Sequence, residues 1–305
     1  MSGFCEQPVA ALMADGRRLS LRHGPIDLIV AADGADAEVQ RAYDQAIAGF
    51  RTVLADLVSE LDLLRAPVTV AGPVPLGVVA RRMHAAAMAH LPRFVTPMAA
   101  VAGAVADHVL GALVGGRRLT RASVNNGGDI ALWLAGDARY EVGICADPTT
   151  GAMAGTVTLG ADDGVYGIAT SGWRGRSHSL GIADAVTVLA RDAATADAAA
   201  TMIANEVQLE DSAAVTRVPA CELAPDSDLG PQLVTTDVGR LSDDEVAAAL
   251  DRGTAEARRL VAAGVVAAVF LGLRGEARIE GMAGYAALQA QTHPRSKHML
   301  EFADA

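Results

Sequence analysis

The segment Asn125-Asn126-Gly127-Gly128-Asp129 combines two glycines with two amides and a carboxylate. Glycine adopts positive φ angles at no steric cost and allows the backbone to approach a ligand closely. The flanking side chains offer hydrogen-bond donors and acceptors suited to a planar heterocycle or a ribose. We predict that this turn organises a ligand site. The alternative is an ordinary hairpin turn, because Asn and Asp favour turns for purely local reasons.

Asp197 and Thr201 are four residues apart, so on a helix they lie on the same face, one turn apart. A carboxylate and a hydroxyl in this arrangement are oxygen ligands for a hard cation such as Mg²⁺, which keeps water and substrate phosphates as its other ligands. The alternative is that Asp197 lies in a first helical turn and complements the helix dipole there.

A third group of polar residues begins with Thr170, Ser171 and Gly172 at the end of a predicted strand. Small hydroxyl residues followed by arginines can bind a phosphate or pyrophosphate. His178 is a candidate general base in the same segment, and Ser179 follows it. The alternative is an exposed polar loop with a structural histidine.

The elements that position these residues can be predicted from hydrophobic periodicity. Strands over 119–124 and 129–134 flank the glycine turn, and a helix over 195–207 with Thr195 as its N-cap carries Asp197. The pattern also predicts long helices, which cover 36–64, 98–113 and a segment that begins at a Ser-Asp-Asp-Glu capping box and ends near residue 263.

Long helices that alternate with hairpin patterns favour an α+β fold with antiparallel sheets. The chain has no GxGxxG turn and no GxxxxGKS/T loop, which argues against a dinucleotide-binding Rossmann fold and a P-loop.

Charge and composition exclude several classes of function. Asp plus Glu outnumber Lys plus Arg by 36 to 25, so the net charge of −11 opposes nucleic-acid binding. The three cysteines form no CxxC pair, which favours a reducing, cytoplasmic location. The apolar stretch 96–116 contains Asp107 and His108 near its middle, so we predict a buried helix rather than a membrane span.

The order of four motifs resembles the ApbE superfamily, the FAD:protein FMN transferases. The motifs are Val-Asn-Asn-Gly-Gly-Asp-Ile at 124–130, Ala-Thr-Ser-Gly at 169–172, Val-Thr-Val at 186–188 and Ala-Asp-Ala-Ala-Ala-Thr at 196–201. A sister branch of that superfamily is similar over further segments, which are 24–27, 96–103 and 183–188.

The resemblance implies a two-lobed, T-fold-like architecture with antiparallel sheets packed against long helices. It implies Mg²⁺ on Asp197 and Thr201, and FAD held by the glycine turn and by several hydroxyl residues. In the transferases, the hydroxyl of a threonine in an acceptor protein takes FMN and AMP is released. The residues that the resemblance assigns to FAD are Thr96, Asn125, Asn126, Gly127, Gly128, Asp129, Thr170, Ser171, Gly172 and Ser179.

Two departures from the transferase pattern keep other functions open. The His-Ile-x-Asp-Pro block that precedes the Val-Thr-Val strand in the transferases is missing, and His178 is the only histidine in the corresponding link. The Lys-Gly pair of the buried helix is Ala102-Gly103. The alternatives are an enzyme acting on a pterin-like or other nitrogen heterocycle in cofactor or one-carbon metabolism, and a non-catalytic flavin-binding module.

For the organisation of the chain, we expect one elaborated domain over 1–305, or two intertwined lobes, with a polar tail over 290–305. The Ala-rich apolar composition makes a homodimer a further expectation. The expected partners are a small nucleotide or heterocycle and an acceptor protein, with no nucleic acid and no membrane.

Overall fold

The computed structural model describes residues 7–147, 151–175, 177–210 and 212–281. Within them the chain alternates between strands and helices. The strands are β1 (Val9–Leu12), β2 (Leu19–His23), β3 (Ile26–Gly34), β4 (Leu119–Asn126), β5 (Asp129–Leu134), β6 (Arg139–Asp147), β7 (Ala152–Gly160), β8 (Gly167–Ser171), β9 (Ala185–Ala190), β10 (Val215–Pro219), β11 (Leu233–Val238), β12 (Ala268–Leu273) and β13 (Glu276–Gly281). The α-helices are α1 (Asp36–Phe50), α2 (Val53–Ser59), α3 (Leu61–Arg65), α4 (Val78–Met88), α5 (Val101–Val114), α6 (Ala193–Glu206), α7 (Ala220–Leu223) and α8 (Asp243–Ala262).

The described strands form one large antiparallel sheet with two small ribbons beside it. The sheet has the order β1-β2-β3-β4-β5-β8-β9-β12-β13, and β6-β7 and β10-β11 are separate two-stranded ribbons. Every pairing in the large sheet is antiparallel. The prediction of an α+β fold with antiparallel sheets and long helices is therefore confirmed, whereas the two-lobed, T-fold-like description stays a prediction.

Alternate residues of the central strands face two different hydrophobic layers, as the pleat of a strand requires. Val188 and Val269 pack with the helices α6 and α8, whereas their neighbours Leu189 and Phe270 pack with the β6-β7 ribbon. The helical layer of the other half contains the helices α1 to α5. The sheet therefore has a helical face and a face covered by the ribbon.

Helices α5 and α6 lie side by side at the centre of the helical layer, on β4, β5, β8 and β9. Each supplies an aspartate to the other's N-terminus. Asp107 of α5 accepts hydrogen bonds from the N–H groups of Ala193 and Ala194 at 3.0 and 2.9 Å, and Asp197 of α6 accepts one from Gly103 at 2.9 Å. These pairs satisfy N–H groups that have no partner inside their own helix. They also fix the register of two antiparallel helices.

Gly103 allows the two helices to approach this closely. A Cβ atom at this position would lie 2.2 Å from the carbonyl oxygen of Ala193, which is backbone and cannot rotate away. Gly111, in the same helix, has open space where its Cβ would be. The position of α6 against α5 therefore depends on a residue without a side chain at position 103.

The helix Pro97–Val114, which joins a 3-10 turn to α5, is the one segment in the described part of the chain that is long and apolar enough to cross a membrane. More than half of it, 56%, is buried by the protein, and Asp107 within it has its partners in α6. This packing is that of a core helix, in agreement with the sequence prediction.

Two helix predictions were wrong in detail. The helix expected over 36–64 is three helices, which are interrupted at residues 51–52 and at Glu60. At Glu60 the backbone leaves the helical region, and the carboxylate of this residue accepts the N–H groups of Leu76 and Gly77. The apolar periodicity persists across the breaks because all three segments pack on the same core cluster. The predicted N-cap Thr195 lies inside α6, and Asp192 caps the helix through the N–H of Thr195 at 2.8 Å.

The predicted domain extent over 1–305 stays a prediction, and the polar tail expected over 290–305 lies outside the described residues.

We expect Gly103→Ala to lower the free energy of unfolding by about 1–3 kcal/mol, because the added methyl group forces two helix backbones apart. Gly111→Ala is the matched control and should raise it by about 0.5–1 kcal/mol through helix propensity alone. Urea denaturation measures both variants. Equal stability of the two variants would contradict the close approach of α5 and α6.

His90 is a second structural feature with a measurable consequence. It is 1% exposed, and neither ring nitrogen has a hydrogen-bond partner in the described part of the chain. Burial lowers the pKa of His90 to about 4, helped by the charges of Arg93 and Arg259 and opposed by that of Glu256. The unfolded chain therefore binds a proton between pH 6.5 and pH 4 that the folded protein does not.

Because of His90, the protein should lose up to about 3 kcal/mol of stability as the pH falls from 6.5 to 4. His90→Leu replaces the imidazole with an apolar side chain that cannot take up a proton, so the loss of stability between pH 6.5 and pH 4 should disappear. The measurement is the difference in unfolding free energy between variant and wild type across that pH range. A difference that does not change with pH would show that His90 is not buried in its neutral form.

Candidate functional site

A cavity of about 530 Å³ lies along one face of α6. Its other walls are the segment between Arg93 and Ala102, the side chain of Asp129, and two loops that contribute residues around 178 and 228. Five residues predicted from the sequence as site residues line it together: Thr96, Asp129, His178, Asp197 and Thr201.

The α6 wall of the cavity is a stripe of polar side chains at helical spacing. Asp197, Thr201 and Asn205 follow one another at intervals of four residues and share one face. The side-chain oxygen of Asn205 accepts the N–H of Leu180 at 2.9 Å and the hydroxyl of Ser179 at 3.3 Å. Asn205 therefore holds the loop that carries His178 against the helix.

The glycine turn delivers Asp129 to the cavity. Gly127 and Gly128 have φ angles of +67° and +115°, as a two-residue hairpin turn requires. The side-chain oxygen of Asn125 accepts the N–H of Gly128 at 2.8 Å, and the amide of Asn126 donates to the carbonyl of Ala102 at 3.1 Å. Of the five turn residues, only Asp129 lines the cavity, so the others shape the turn and attach it to α5.

Asp129 and Asp197 approach each other at the inner end of the cavity. Burial and the negative charge of Asp129 raise the pKa of Asp197 well above the usual value for an aspartate, although the N–H groups of Gly103 and Ala102 oppose the shift. Two neighbouring carboxylates of this kind cannot both be charged without an energetic cost. The pair is relieved either by a proton or by a cation.

The outer end of the cavity contains an ion-pair network. Arg93 pairs with Glu206 at 3.3 Å and also with Glu256 of α8, and Thr96 donates its hydroxyl to Asp228 at 2.5 Å. Asp129, Asp197, Glu206 and Asp228 face one arginine among the described residues that line the cavity. The cavity is therefore acidic overall.

Apart from the glycine turn, four predicted site residues do not line the cavity. The hydroxyl of Thr170 in β8 forms a hydrogen bond with that of Thr187 in β9 at 2.8 Å, and Ser171 is the last residue of β8. Gly172 packs its Cα against the backbone of Asp184. Ser179 is 3% exposed and bonds to Asn205 and Gly181. The ligand contacts assigned to these residues stay predictions.

The structure adds three residues that the sequence interpretation missed, namely Arg93, Asn205 and Asp228. Asn205 could have been found, because it continues the four-residue spacing of Asp197 and Thr201. Asp228 comes from a loop that is more than a hundred residues away from Thr96 in the chain, and no local pattern marks it.

The described residues contain no group of three or more His, Cys, Asp or Glu side chains that could hold a metal ion. Asp129, Asp197 and Thr201 instead offer two carboxylates and a hydroxyl, all of them oxygen donors. This set is too small for an ion enclosed by protein alone. It is typical of Mg²⁺, which retains water and takes phosphate oxygens from its substrate.

Comparisons with known proteins find one family model and several relatives that match this chain. A family model with the description "AbpE bacteria" matches residues 10–279. A UPF0280 protein of Methanothrix thermoacetophila is 35% identical over 191 residues, which are 61% of this chain and 75% of that protein. A UPF0280 protein of Methanosphaerula palustris is 43% identical over 117 residues, which are 37% of this chain and 47% of that protein. The chain thus spans three quarters of the first relative and about half of the second.

Among solved structures, the apo form of the flavinyl transferase ApbE from Pseudomonas stutzeri is 13% identical to the chain. The TM-score is 0.46, with coverage of 93% of this chain and 98% of that chain.

The carboxylate pair predicts that Asp197→Asn stabilises the metal-free protein at pH 8. The amide oxygen can still accept the N–H of Gly103, while the charge that burial and Asp129 disfavour is removed. An increase in melting temperature of roughly 2 °C or more is expected, which is the effect of about 1 kcal/mol in a large domain. Differential scanning calorimetry in the presence of a chelator measures it.

The stabilisation should shrink as the pH is lowered, because the raised pKa lets the wild-type Asp197 take up a proton and lose its penalty. A variant that is less stable than the wild type at every pH would mean that the two carboxylates do not repel each other.

Proposed function

This chain belongs to the AbpE bacteria family, and from that premise and the geometry of the cavity we propose that it is a Mg²⁺-dependent transferase related to the FAD:protein FMN transferases. It binds FAD or a similar nucleotide in the cavity along α6. The order of the sequence motifs, which resembles that of the transferases, supports this assignment, and so does the convergence of Thr96, Asp129, Asp197 and Thr201 in one cavity.

The observation that carries the proposal is the carboxylate pair of Asp129 and Asp197, with the hydroxyl of Thr201 one helical turn further along. The protein keeps Asp197 in a position where its charge is unfavourable. Carboxylates with strongly raised pKa values at a cavity wall are typical of functional sites, because the folded protein gives up stability that a bound ligand restores. A divalent cation is the ligand that two carboxylates and a hydroxyl accommodate.

A bound Mg²⁺ ion would supply Lewis-acid polarisation of the pyrophosphate of FAD. The protein itself orients the reactants. The oxygen of an acceptor hydroxyl forms a bond to the phosphorus of the FMN half as the bond from that phosphorus to the AMP oxygen breaks. His178, which is exposed on the loop that lines the cavity, is in place to accept the proton of the hydroxyl. The acceptor is the threonine of a partner protein, or water if no partner is bound.

The acidic lining of the cavity favours a second candidate function. Four carboxylates face one arginine among the described lining residues, so a ligand rich in amino groups would be attracted. This supports an enzyme that acts on a pterin-like or other nitrogen heterocycle in cofactor or one-carbon metabolism. A protein that binds flavin without catalysis is the third alternative.

A thermal-shift titration with AMP detection by chromatography tests the proposal. We expect Mg²⁺ and FAD together to stabilise the wild type, by about 2.7 kcal/mol when FAD is at one hundred times its dissociation constant. Asp197→Ala and Thr201→Val should lose this stabilisation. Asp162→Asn, an exposed position outside the cavity, is the control and should keep it.

Slow release of AMP from FAD by the wild type, absent in Asp197→Ala, would support the transferase-like reaction. Mg²⁺-dependent binding without any AMP release, even with candidate acceptors, would favour the non-catalytic module. If neither Mg²⁺ nor FAD changes the stability of the wild type, the proposal is wrong and pterins are the next ligands to test.

A further inference from the structure

The cavity has two chemically different ends that are too far apart to hold the same phosphate group. Asp197 at the inner end and Glu206 at the outer end both belong to α6 and are nine residues apart. At a rise of 1.5 Å per residue, this corresponds to about 14 Å along the helix axis. A ligand whose phosphates lie at the inner end therefore presents a different chemical group to the outer end.

The outer end does not offer a free cation to an anionic group. Arg93 is shared between Glu206 and Glu256. Glu256 also receives two hydrogen bonds from Arg259, each of 2.8 Å, so its charge is already compensated. With Arg93 balanced by Glu206, the carboxylate of Asp228 leaves this end of the cavity with a net negative charge. A phosphate or a carboxylate of a ligand is disfavoured there.

The carboxylate of Asp228 is held in a defined orientation. One of its oxygens accepts the hydroxyl of Thr96 at 2.5 Å, and Thr96 is 2% exposed. The loop itself is braced by hydrogen bonds from the N–H groups of Leu229 and Gly230 to Ser227. An ionised carboxylate is an acceptor only, so it selects a group that donates a hydrogen bond.

We propose that Asp228 recognises the base of the bound nucleotide by accepting a hydrogen bond from an exocyclic amino group, so that the outer end of the cavity takes an amino-bearing purine. The inference rests on the proposed function, because it assumes that the phosphates lie at the Asp129 and Asp197 end. It also assigns an orientation to FAD. The adenine half carries the amino group, whereas the hydrogen-bonding edge of the flavin has one donor, N3–H, flanked by two carbonyl oxygens that a carboxylate repels.

Isothermal titration calorimetry in the presence of Mg²⁺ tests this assignment with three diphosphates: ADP, GDP and purine riboside 5′-diphosphate, which lacks the amino group. The wild type should bind ADP or GDP about tenfold more tightly than the purine riboside compound, which is the loss of one charge-assisted hydrogen bond. Asp228→Ala should bind the preferred nucleotide and the purine riboside compound with similar affinity.

Asp226→Ala is the matched control. Asp226 lies in the same loop, pairs with Arg65 at 2.8 Å, and has a side chain that is 75% exposed. This variant should keep the preference of the wild type. If Asp228→Ala still binds ADP or GDP more tightly than the purine riboside compound, the carboxylate of Asp228 does not recognise the base. The same conclusion follows if Asp226→Ala loses this preference as completely as Asp228→Ala does.

Stabilisation by Mg²⁺ alone, compared between the wild type and Asp197→Asn, separates this inference from the proposed function. A normal response to Mg²⁺ without any preference among the nucleotides would overturn the role of Asp228 and leave the metal site standing. A preference that persists without any effect of Mg²⁺ would support Asp228 and overturn the metal site.

Discussion

The exchange of aspartates between α5 and α6 is the interaction on which the site depends. Asp107 accepts the first N–H groups of α6, and Asp197 accepts an N–H near the start of α5. Carboxylates at helix N-termini are stabilised by the helix dipole and by N–H groups that otherwise lack partners. The same contacts fix how the two helices slide against each other.

The two aspartates of this exchange face different surroundings. Burial and the charge of Asp192 raise the pKa of Asp107 to about 6, against the effect of its two N–H donors and of Arg82, which pairs with Asp107 at 3.5 Å. Asp197 also accepts backbone N–H groups, from Gly103 and Ala102, but it has no ion pair with an arginine among the described residues, and it faces Asp129. The glycine turn brings Asp129 in through the bond between Asn126 and Ala102. Asp107 therefore serves mainly the fold, whereas a charge on Asp197 is unfavourable at the cavity wall unless a cation balances it. The difference explains why a cation is expected at Asp197 and not at Asp107.

Much of the fold could be predicted from local patterns in the sequence, because the strands alternate and the hairpins carry Gly-Gly or Arg-Gly turns. The capping box at Ser242 and Glu245 also forms as expected, because both of its partners are close in the chain. The break at Glu60 and the cap at Asp192 were missed. In the first case the decisive partner is a loop more than fifteen residues away. In the second case Asp192 and Thr195, which are three residues apart, both have side chains suited to capping.

The site was predicted in part. Asp197 and Thr201 follow from helical spacing, and Asp129 from the composition of the turn. The roles of Asn125 and Asn126 could not be predicted, because an amide that closes a turn and one that binds a ligand look the same in a sequence. Arg93 and Asp228 depend on contacts between segments that are far apart in the chain.

The most direct test of this account is an anomalous difference map from crystals grown with Mn²⁺ in place of Mg²⁺. The account predicts one strong peak at the inner end of the cavity, about 2.1 Å from oxygens of Asp197 and Thr201 and within reach of Asp129, directly or through water. A cavity without a peak, with the carboxyl group of Asp197 bonded only within the protein, would contradict it. The raised pKa of Asp197 would then reflect a buried neutral acid with a structural role.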